Sequence, residues 1–358
     1  MAKPTFHDIV RITGLSKNAV SLALRDSPEI SPETKARVKA TARQLGYSPN
    51  PVLSQLMSQL RSTRTRPLRA KLALVNANHD PEALRNHPTI PTYMEGCESR
   101  ATKLGYGFDQ LWLHDGQATA EKWTRLFKTR GIKGVVLVGL MHTNHLPERL
   151  APIWSRFPSI VTGVRTRDPA LSFACVDHHN LVLTAFERAL ALGYKRPGLV
   201  VDDVIETLIE HRFSAGFFAG QNLQSDIHKI PIFSDAPGSG RLEPFRSWFE
   251  THRPDVIFTL YNNAIKWLAA LGLRVPEDVG VIQLEWRAAH PEIAGMNQHN
   301  RAVGEAAVDM LVTQINHNEI GLQEFPRATL IGAAWVDGPS VRSVAPLSLT
   351  PRKSRKKK

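Results

Sequence analysis

Short apolar runs alternate with helical stretches over most of this 358-residue chain, and that alternation limits the folds available to it. Amphipathic segments such as EKWTRLFKTRG separate runs with the length and β-branched content of buried strands. Strands that alternate with helices form parallel sheets covered on both faces. We therefore expect a doubly wound α/β core in two similar halves that meet near residues 163–172. The predicted strands are KLALVN, GFDQLWL, GVVLVG, SIVTGV, FACVD, RPGLVV, DIHKIPIF, DVIFTL and DVGVIQLE.

Three short helices are predicted ahead of this core, within residues 1–46. Apolar residues recur at helical spacing in FHDIVRIT, and Gly14 follows where a tight turn needs a positive φ. Ser16 can cap a second helix, and Ser31 can cap a third, with Pro32 at its first position. Three helices with a glycine turn between the first two are typical of a helix-turn-helix unit.

The second of these helices carries a polar face that its apolar neighbours do not cover. In a helix-turn-helix unit the N-terminal residues of this helix face base edges in the major groove. Lys17 and Asn18 have the donors and acceptors for reading bases, while Ser16 and Ser21 can hold phosphates. A generic three-helix bundle with a solvated polar face remains the alternative.

The positive charge of the chain is concentrated at its two ends. The net charge is +12, of which residues 1–69 carry +8 and residues 351–358 carry +6, so the remainder carries −2. A basic surface attracts the phosphate backbone through counterion release, which makes double-stranded DNA the first partner to consider. For the tail alone, solubility is the simpler explanation.

Residues 6–50, FHDIVRITGLSKNAVSLALRDSPEISPETKARVKATARQLGYSPN, resemble the DNA-binding headpiece of the LacI/GalR family of bacterial repressors. The family usually has Thr, Arg and Asn where this chain has Ala19, Leu22 and Arg25. Leu22 can contact a thymine methyl but cannot donate a hydrogen bond, so the operator sequence of the family does not transfer. The resemblance and the helix pattern together predict these DNA contacts: Thr5, Ser16, Lys17, Asn18, Ser21, Leu22, Arg25, Ser31, Thr34, Leu56 and Met57.

The resemblance implies a hinge in residues 47–69. An apolar segment there is too short to form a stable helix alone. Family members order this segment when two copies meet over the minor groove, where a leucine wedges into the central base step. Register with GYSPN assigns the wedge to Leu56, with Met57 beside it. An ordinary flexible linker is the alternative.

The core also resembles this family, whose two-lobed fold is like that of periplasmic sugar-binding proteins. LGLRVPEDVGVIQLE and HNRAVGEAAVDMLV carry the likeness, which covers about residues 4–343. It implies an effector-binding and dimerisation core over residues 70–343. We expect lobe 1 at about 70–163 and 297–323, lobe 2 at about 164–296 and 324–343, and a basic disordered tail at 344–358.

The resemblance places a small-molecule effector, such as a sugar or a related metabolite, in the cleft between the lobes. This region departs most from the family pattern: Glu285 replaces an aspartate, and Arg212 is an offset counterpart of an effector arginine. Arginine and carboxylate can chelate a polyol or an anion, and an aromatic ring can stack on a sugar. The candidate effector residues are Tyr93, Arg212, Asn263, Glu285 and Trp286. Each of them is alternatively a surface or structural residue.

Enzyme chemistry finds no support in the sequence. No Walker A loop or G-x-S-x-G elbow occurs, and GSGRLE lacks the third glycine of a dinucleotide-binding loop. Asp177, in DHHN, is expected to cap the next helix rather than bind metal. We expect no catalytic site, no cofactor and no metal.

Taken together, these features predict a cytoplasmic, homodimeric, sequence-specific transcription regulator of the repressor type that binds a pseudo-palindromic operator. Two cysteines favour a reducing compartment, and neither a secretory signal nor an apolar run long enough to span a membrane is present. A solute-binding protein would need an export signal. Two further possibilities stay open: an architectural protein that binds DNA without sequence preference, and a regulator that has lost its effector.

Overall fold

A computed structural model describes residues 6–24, 29–46, 70–235, 242–260 and 263–343. The predicted DNA contacts Thr5, Arg25, Leu56 and Met57 lie outside these ranges, as do the hinge and the tail. The chain divides into two compact units, Met1–Cys175 with Asn300–Leu330 and Val176–His299 with Ile331–Lys358. We call them unit 1 and unit 2 and describe each by itself.

The N-terminal part of unit 1 contains the predicted three helices, α1 (Phe6–Thr13), α2 (Lys17–Leu24) and α3 (Pro32–Gln44). Gly14 turns the chain between α1 and α2 with a φ of +67°, a conformation that favours glycine. One buried apolar cluster joins all three helices because each contributes residues at helical spacing. Its members are Ile9, Val20, Ala23, Val38 and Ala42.

The remainder of unit 1 is built on a six-stranded sheet with the order β11-β5-β4-β3-β1-β2. Pairing is parallel between β1 and β2, β1 and β3, β3 and β4, and β4 and β5. The strands are β1 (Ala70–Asn76), β2 (Tyr106–Trp112), β3 (Ile132–Val138), β4 (Ser159–Thr162), β5 (Ser172–Val176) and β11 (Ala328–Ile331). The helices are α4 (Ala83–Asn86), α5 (Ile90–Lys103), α6 (Ala120–Arg130), α7 (Ala151–Trp154) and α13 (Asn300–His317), and a single 3-10 turn spans Glu148–Leu150.

Unit 2 contains a second six-stranded sheet, with the order β12-β10-β9-β8-β6-β7. The neighbours from β10 to β7 pair in parallel, and β12 pairs with β10 in the antiparallel sense. The strands are β6 (Pro197–Asp202), β7 (Phe233–Asp235), β8 (Val256–Thr259), β9 (Gly280–Gln283), β10 (Ala294–Asn297) and β12 (Ala334–Val336). The helices are α8 (His178–Ala191), α9 (Asp203–Leu208), α10 (Arg212–Asn222), α11 (Leu242–His252) and α12 (Asn263–Ala270). These two sheets confirm the predicted α/β core.

The expected boundary between the lobes, near residue 163, is one strand too early. Strand β5 pairs with β4 and therefore belongs to the sheet of unit 1. Gly163, with a φ of +84°, and the polar segment after it look like a linker in the sequence. They form a loop within unit 1 instead, where the Arg167 N–H donates to the Asn144 carbonyl at 2.9 Å. The second expected boundary, near residue 323, also precedes β11, which lies beside β5.

The strand predicted over DIHKIPIF forms only at its end, because β7 begins at Phe233. The preceding residues make contacts of another kind: the His228 N–H donates to the Lys195 carbonyl at 3.0 Å, and Pro231 has no N–H for a ladder. No helix in the described part of the chain combines the length and the apolar character that a bilayer span requires.

Candidate DNA-binding and effector sites

Ser16 and Lys17 are exposed to solvent at the N-terminal end of α2. The Ser16 hydroxyl accepts a hydrogen bond from the Ala19 N–H at 3.2 Å, which confirms the predicted cap. Lys17, the first residue of α2, is exposed, and Leu22 is half-buried. Asn18 and Ser21 lie on α2, but their side chains fall outside the described part of the structure. This end of the helix can therefore approach a groove with its cap already satisfied.

Ser31 and Thr34 are joined at the start of α3. The Ser31 hydroxyl accepts from the Thr34 N–H at 3.2 Å and donates to the Thr34 hydroxyl at 2.9 Å. This geometry confirms the predicted cap, with Pro32 in the first turn. The predicted contact of both residues with DNA stays a prediction. It is compatible with the cap, because a capping hydroxyl keeps an acceptor lone pair for a further partner.

Replacing Ser31 by alanine should destabilise α3 by about 1 kcal/mol, because an N–H of the first turn loses its acceptor. The measurement is amide hydrogen exchange of residues 32–44 in the full chain, which should become about fivefold faster. Aspartate is also a strong capping residue, so Ser31→Asp should keep the exchange rate of the original protein. Equal rates in the alanine and aspartate variants would contradict the role of the cap.

Three of the predicted effector residues of unit 2 follow neighbouring parallel strands at one edge of the sheet. Asn263 is the exposed first residue of α12, after β8. Glu285 and Trp286 follow β9 after one intervening residue, Leu284. The Glu285 carboxylate is buried and forms an ion pair with Arg287 at 3.0 Å. The indole N–H of Trp286 is buried with no hydrogen-bond partner among the described residues. The carboxyl edge of parallel strands is where such sheets bind ligands.

Arg212 begins α10 and forms an ion pair with Glu210 at 3.0 Å. Both side chains are largely buried, with exposures of 18% and 21%, so the ion pair holds the arginine in place. Tyr93 lies on α5 in unit 1, whereas the remaining four candidates belong to unit 2. It is 7% exposed, which leaves little of its ring face for stacking on a ligand.

Among the buried polar residues of unit 2 that are absent from the predicted site residues, His178 and Glu206 carry ionisable side chains. His178, the first residue of α8, packs edge-on against Phe213 with ring centroids 5.1 Å apart. Burial, with a smaller contribution from Arg212, lowers the pKa of His178 to about 3. Asp177 caps this helix as predicted by accepting from the Asn180 N–H at 3.1 Å. The second buried residue is Glu206, on α9. Only its place as an acidic residue within the apolar run VIETLI marks it in the sequence.

Unit 1 gathers three histidines at the carboxyl ends of its first three strands. The ring of His79 lies 4.1 Å from that of His114 and 4.9 Å from that of His142, measured between centroids. Burial is the main cause that lowers the pKa of His114, and the neighbouring histidines and Arg149 add to it. No group of three or more His, Cys, Asp or Glu side chains in the described ranges is arranged to hold a metal ion.

Comparison with known families matches both parts of the chain. A model of the bacterial regulatory proteins of the lacI family matches residues 5–50. A model of the periplasmic binding protein-like domain matches residues 186–340. The first match covers the three-helix part of unit 1, and the second covers most of unit 2.

Relatives match this chain over most of their length. The HTH-type transcriptional repressor PurR of Haemophilus influenzae (strain PittEE) is 23% identical over 335 residues, which span 90% of this chain and 94% of the relative. The HTH-type transcriptional regulator CelR of Thermobifida fusca is 23% identical over 330 residues, which span 87% of this chain and 92% of the relative.

Solved structures share the fold. A transcriptional regulator CelR–cellobiose complex matches with a TM-score of 0.58 and 19% identity, over 94% of this chain and 99% of that one. A Lac repressor dimer bound to operator and the anti-inducer ONPF matches with a TM-score of 0.57 and 17% identity, over 96% and 100%. The chain therefore combines a helix-turn-helix headpiece that matches the lacI family of bacterial regulatory proteins with an α/β core that matches the periplasmic binding protein-like domain.

Proposed function

We propose that this protein is a sequence-specific DNA-binding transcriptional regulator of the repressor type, with an operator affinity that a small molecule modulates. The observation that carries the proposal is the capped, solvent-facing start of α2 inside a headpiece that matches the lacI family. The periplasmic-binding-like match in the same chain supports effector control. A ligand couples to DNA binding only if it binds the two states of the core with different affinities.

Two copies of the chain would place two headpieces on a pseudo-palindromic operator, because a two-fold symmetric protein requires matching half-sites. The Lac repressor relative supports this assembly, since it is a dimer bound to operator. We assign DNA reading to residues 1–46, the hinge to residues 47–69 and effector binding and dimerisation to residues 70–343. The protein then acts in the cytoplasm, on the nucleoid, as a non-catalytic regulator.

The direct test is an in vitro selection of duplex DNA by the purified full chain at near-physiological salt. An enriched palindrome with a flexible central pyrimidine–purine step is expected, because a wedged hinge kinks such steps most easily. A pool that stays random, with binding that collapses as salt rises, would contradict sequence-specific regulation. That outcome would favour an architectural role without sequence preference, which Leu22 and the basic tail leave open.

Replacing Lys17 by alanine should relax base preference at particular half-site positions, at a cost of about 1–3 kcal/mol for the preferred base. Asn18→Ala should do the same at a neighbouring position. Fluorescence anisotropy on the selected operator and on single-base variants measures both effects. Lys133→Ala, on an exposed residue of β3, removes the same charge far along the chain and should leave base preference unchanged. A uniform loss on all sequences would make Lys17 a phosphate contact instead.

A further inference from the structure

A cavity of about 440 Å³ lies within unit 2, between β6, β7, α9 and α10. Its apolar wall includes Val201, Ile232 and Phe218, and Phe218 is 48% exposed. Its polar side includes Glu206 and Ser214. A concave site with an apolar lining and a few convergent polar groups is the usual form of a small-molecule site.

Glu206 is the unusual residue of this cavity. It is 2% exposed, and burial raises the pKa of its carboxyl group. One carboxylate oxygen, Oε2, accepts hydrogen bonds from the Ser214 hydroxyl and from the Ser214 N–H, the latter at 3.3 Å. The other oxygen, Oε1, is buried and has no hydrogen-bond partner among the described residues. A buried acceptor without a partner is costly, so a ligand that donates to Oε1 would gain from satisfying it.

The charges around the cavity favour a cation. Asp203 supplies a second carboxylate, which accepts from the Ser234 hydroxyl. The basic group beside Glu206 is the imidazole of His211, whose Nδ1 lies 3.7 Å from Oε2 and whose side chain is 70% exposed. No lysine or arginine lines the cavity among the described residues. Arg212, the next residue along the chain, is engaged with Glu210.

We propose that this cavity binds a small molecule with a primary ammonium group and an apolar body. The ammonium group donates to the carboxylate of Glu206, and the apolar body packs against Val201, Ile232 and Phe218. Hydrogen bonds between charged groups are the strong ones, and they strengthen further where water is excluded. The inference rests on the proposed function, because it names the chemical class of the molecule that the effector-binding part of the chain would take.

The probe is 3-methylbutylamine, with 3-methylbutan-1-ol and 3-methylbutanoate as matched neutral and anionic probes. Ligand-observed NMR on the full chain without DNA measures binding of each. The amine should bind saturably at about millimolar concentration, which is ordinary for so few atoms, and at least tenfold more tightly than the alcohol or the carboxylate. Equal affinity for the amine and the alcohol, or no saturable amine binding up to about 50 mM, would overturn the proposal.

Glu206→Gln keeps the shape of the side chain and removes its charge, so the affinity for the amine should fall at least tenfold. Glu250→Gln, on an exposed residue of α11, should leave it unchanged. If Glu206→Gln does not fold, Phe218→Arg tests the same site from its exposed edge, because an added cation at the wall should also weaken amine binding tenfold. Unchanged affinity in the folded variant would contradict the assignment.

The same preparation separates this inference from the proposed function. Operator selection is performed without amine, and amine binding is measured without DNA. A selected operator together with absent amine binding would overturn only the ligand class. Amine binding that depends on Glu206, together with a random DNA pool, would instead leave the cavity as a ligand site and overturn sequence-specific regulation. With both present, the amine should shift operator affinity in an anisotropy titration.

Discussion

Replacing Gly304 by alanine should lower the free energy of unfolding of unit 1 by about 3 kcal/mol, the upper end of the usual cost of overpacking. A Cβ atom at this position would lie 2.2 Å from the carbonyl oxygen of Tyr93. That oxygen belongs to the backbone of α5, so it cannot swing aside as a side chain does. Helix α5 and helix α13, which carries Gly304, would have to move apart where they cross. The buried contacts around Cys97 and Leu311 would weaken as a result.

The sign of this effect is informative because alanine is the better helix former. In an exposed helix interior, Gly→Ala stabilises by about 1 kcal/mol. Any net loss of stability at Gly304 is therefore the cost of the clash minus the gain in helix propensity. Gly116→Ala, in a turn, is the control for adding a Cβ atom without a clash, since that atom meets nothing within 4 Å. Urea unfolding followed by circular dichroism reports both variants, and an increase in stability at Gly304 would show that the helices are not in close contact.

Gly96 lies on α5, the other helix of this crossing, and faces the backbone of α13. A Cβ atom on Gly96 would lie 2.0 Å from the carbonyl oxygen of Arg301. Once one clash has separated the helices, the second costs less, so the double variant Gly96→Ala/Gly304→Ala should lose less than the sum of the single losses. Strict additivity of the two losses would indicate that the clashes relax independently.

The part of the fold that the sequence predicts best is the part set by local chemistry. Ser16, Ser31 and Asp177 cap helices where their side chains precede an apolar pattern, and Gly14 turns the chain where only a residue without a Cβ atom adopts a positive φ at little cost. The predicted lobe boundary is wrong because it depends on which strand β5 pairs with. Nothing local in SFACV distinguishes the edge of one sheet from the start of another domain.

The candidate sites show the same division. The start of α2 is predictable because the apolar residues recur at helical spacing and leave a polar face that they do not cover. Glu206 is not, since its burial arises from packing of α9 against α10, and its hydrogen bond with Ser214 joins residues eight positions apart. Glu285 is a predicted effector ligand, but in the structure it forms an ion pair with Arg287. The family has an aspartate followed by another acid at these positions, so the resemblance does not reveal this ion pair.

His178 should make unit 2 less stable in mild acid, by about 2 kcal/mol between pH 7 and pH 5. The ordinary histidine pKa is 6.5, whereas in the folded protein burial, and to a smaller extent Arg212, lowers it to about 3. The unfolded chain therefore takes up a proton as the pH falls through 6.5, and the folded chain does not. The stability contributed by the neutral imidazole is complete above pH 6.5 and is lost progressively towards pH 3.

The test compares the pH profile of the unfolding free energy in the original protein, in His178→Asn and in His179→Asn. Asparagine does not titrate, so His178→Asn should lower the stability at pH 7 but lose about 2 kcal/mol less between pH 7 and pH 5. His179 is the exposed neighbour, and its replacement should leave the profile unchanged. A profile of equal slope in all three proteins would mean that His178 takes up its proton in the folded state, which would require water or a partner at its buried Nδ1 atom.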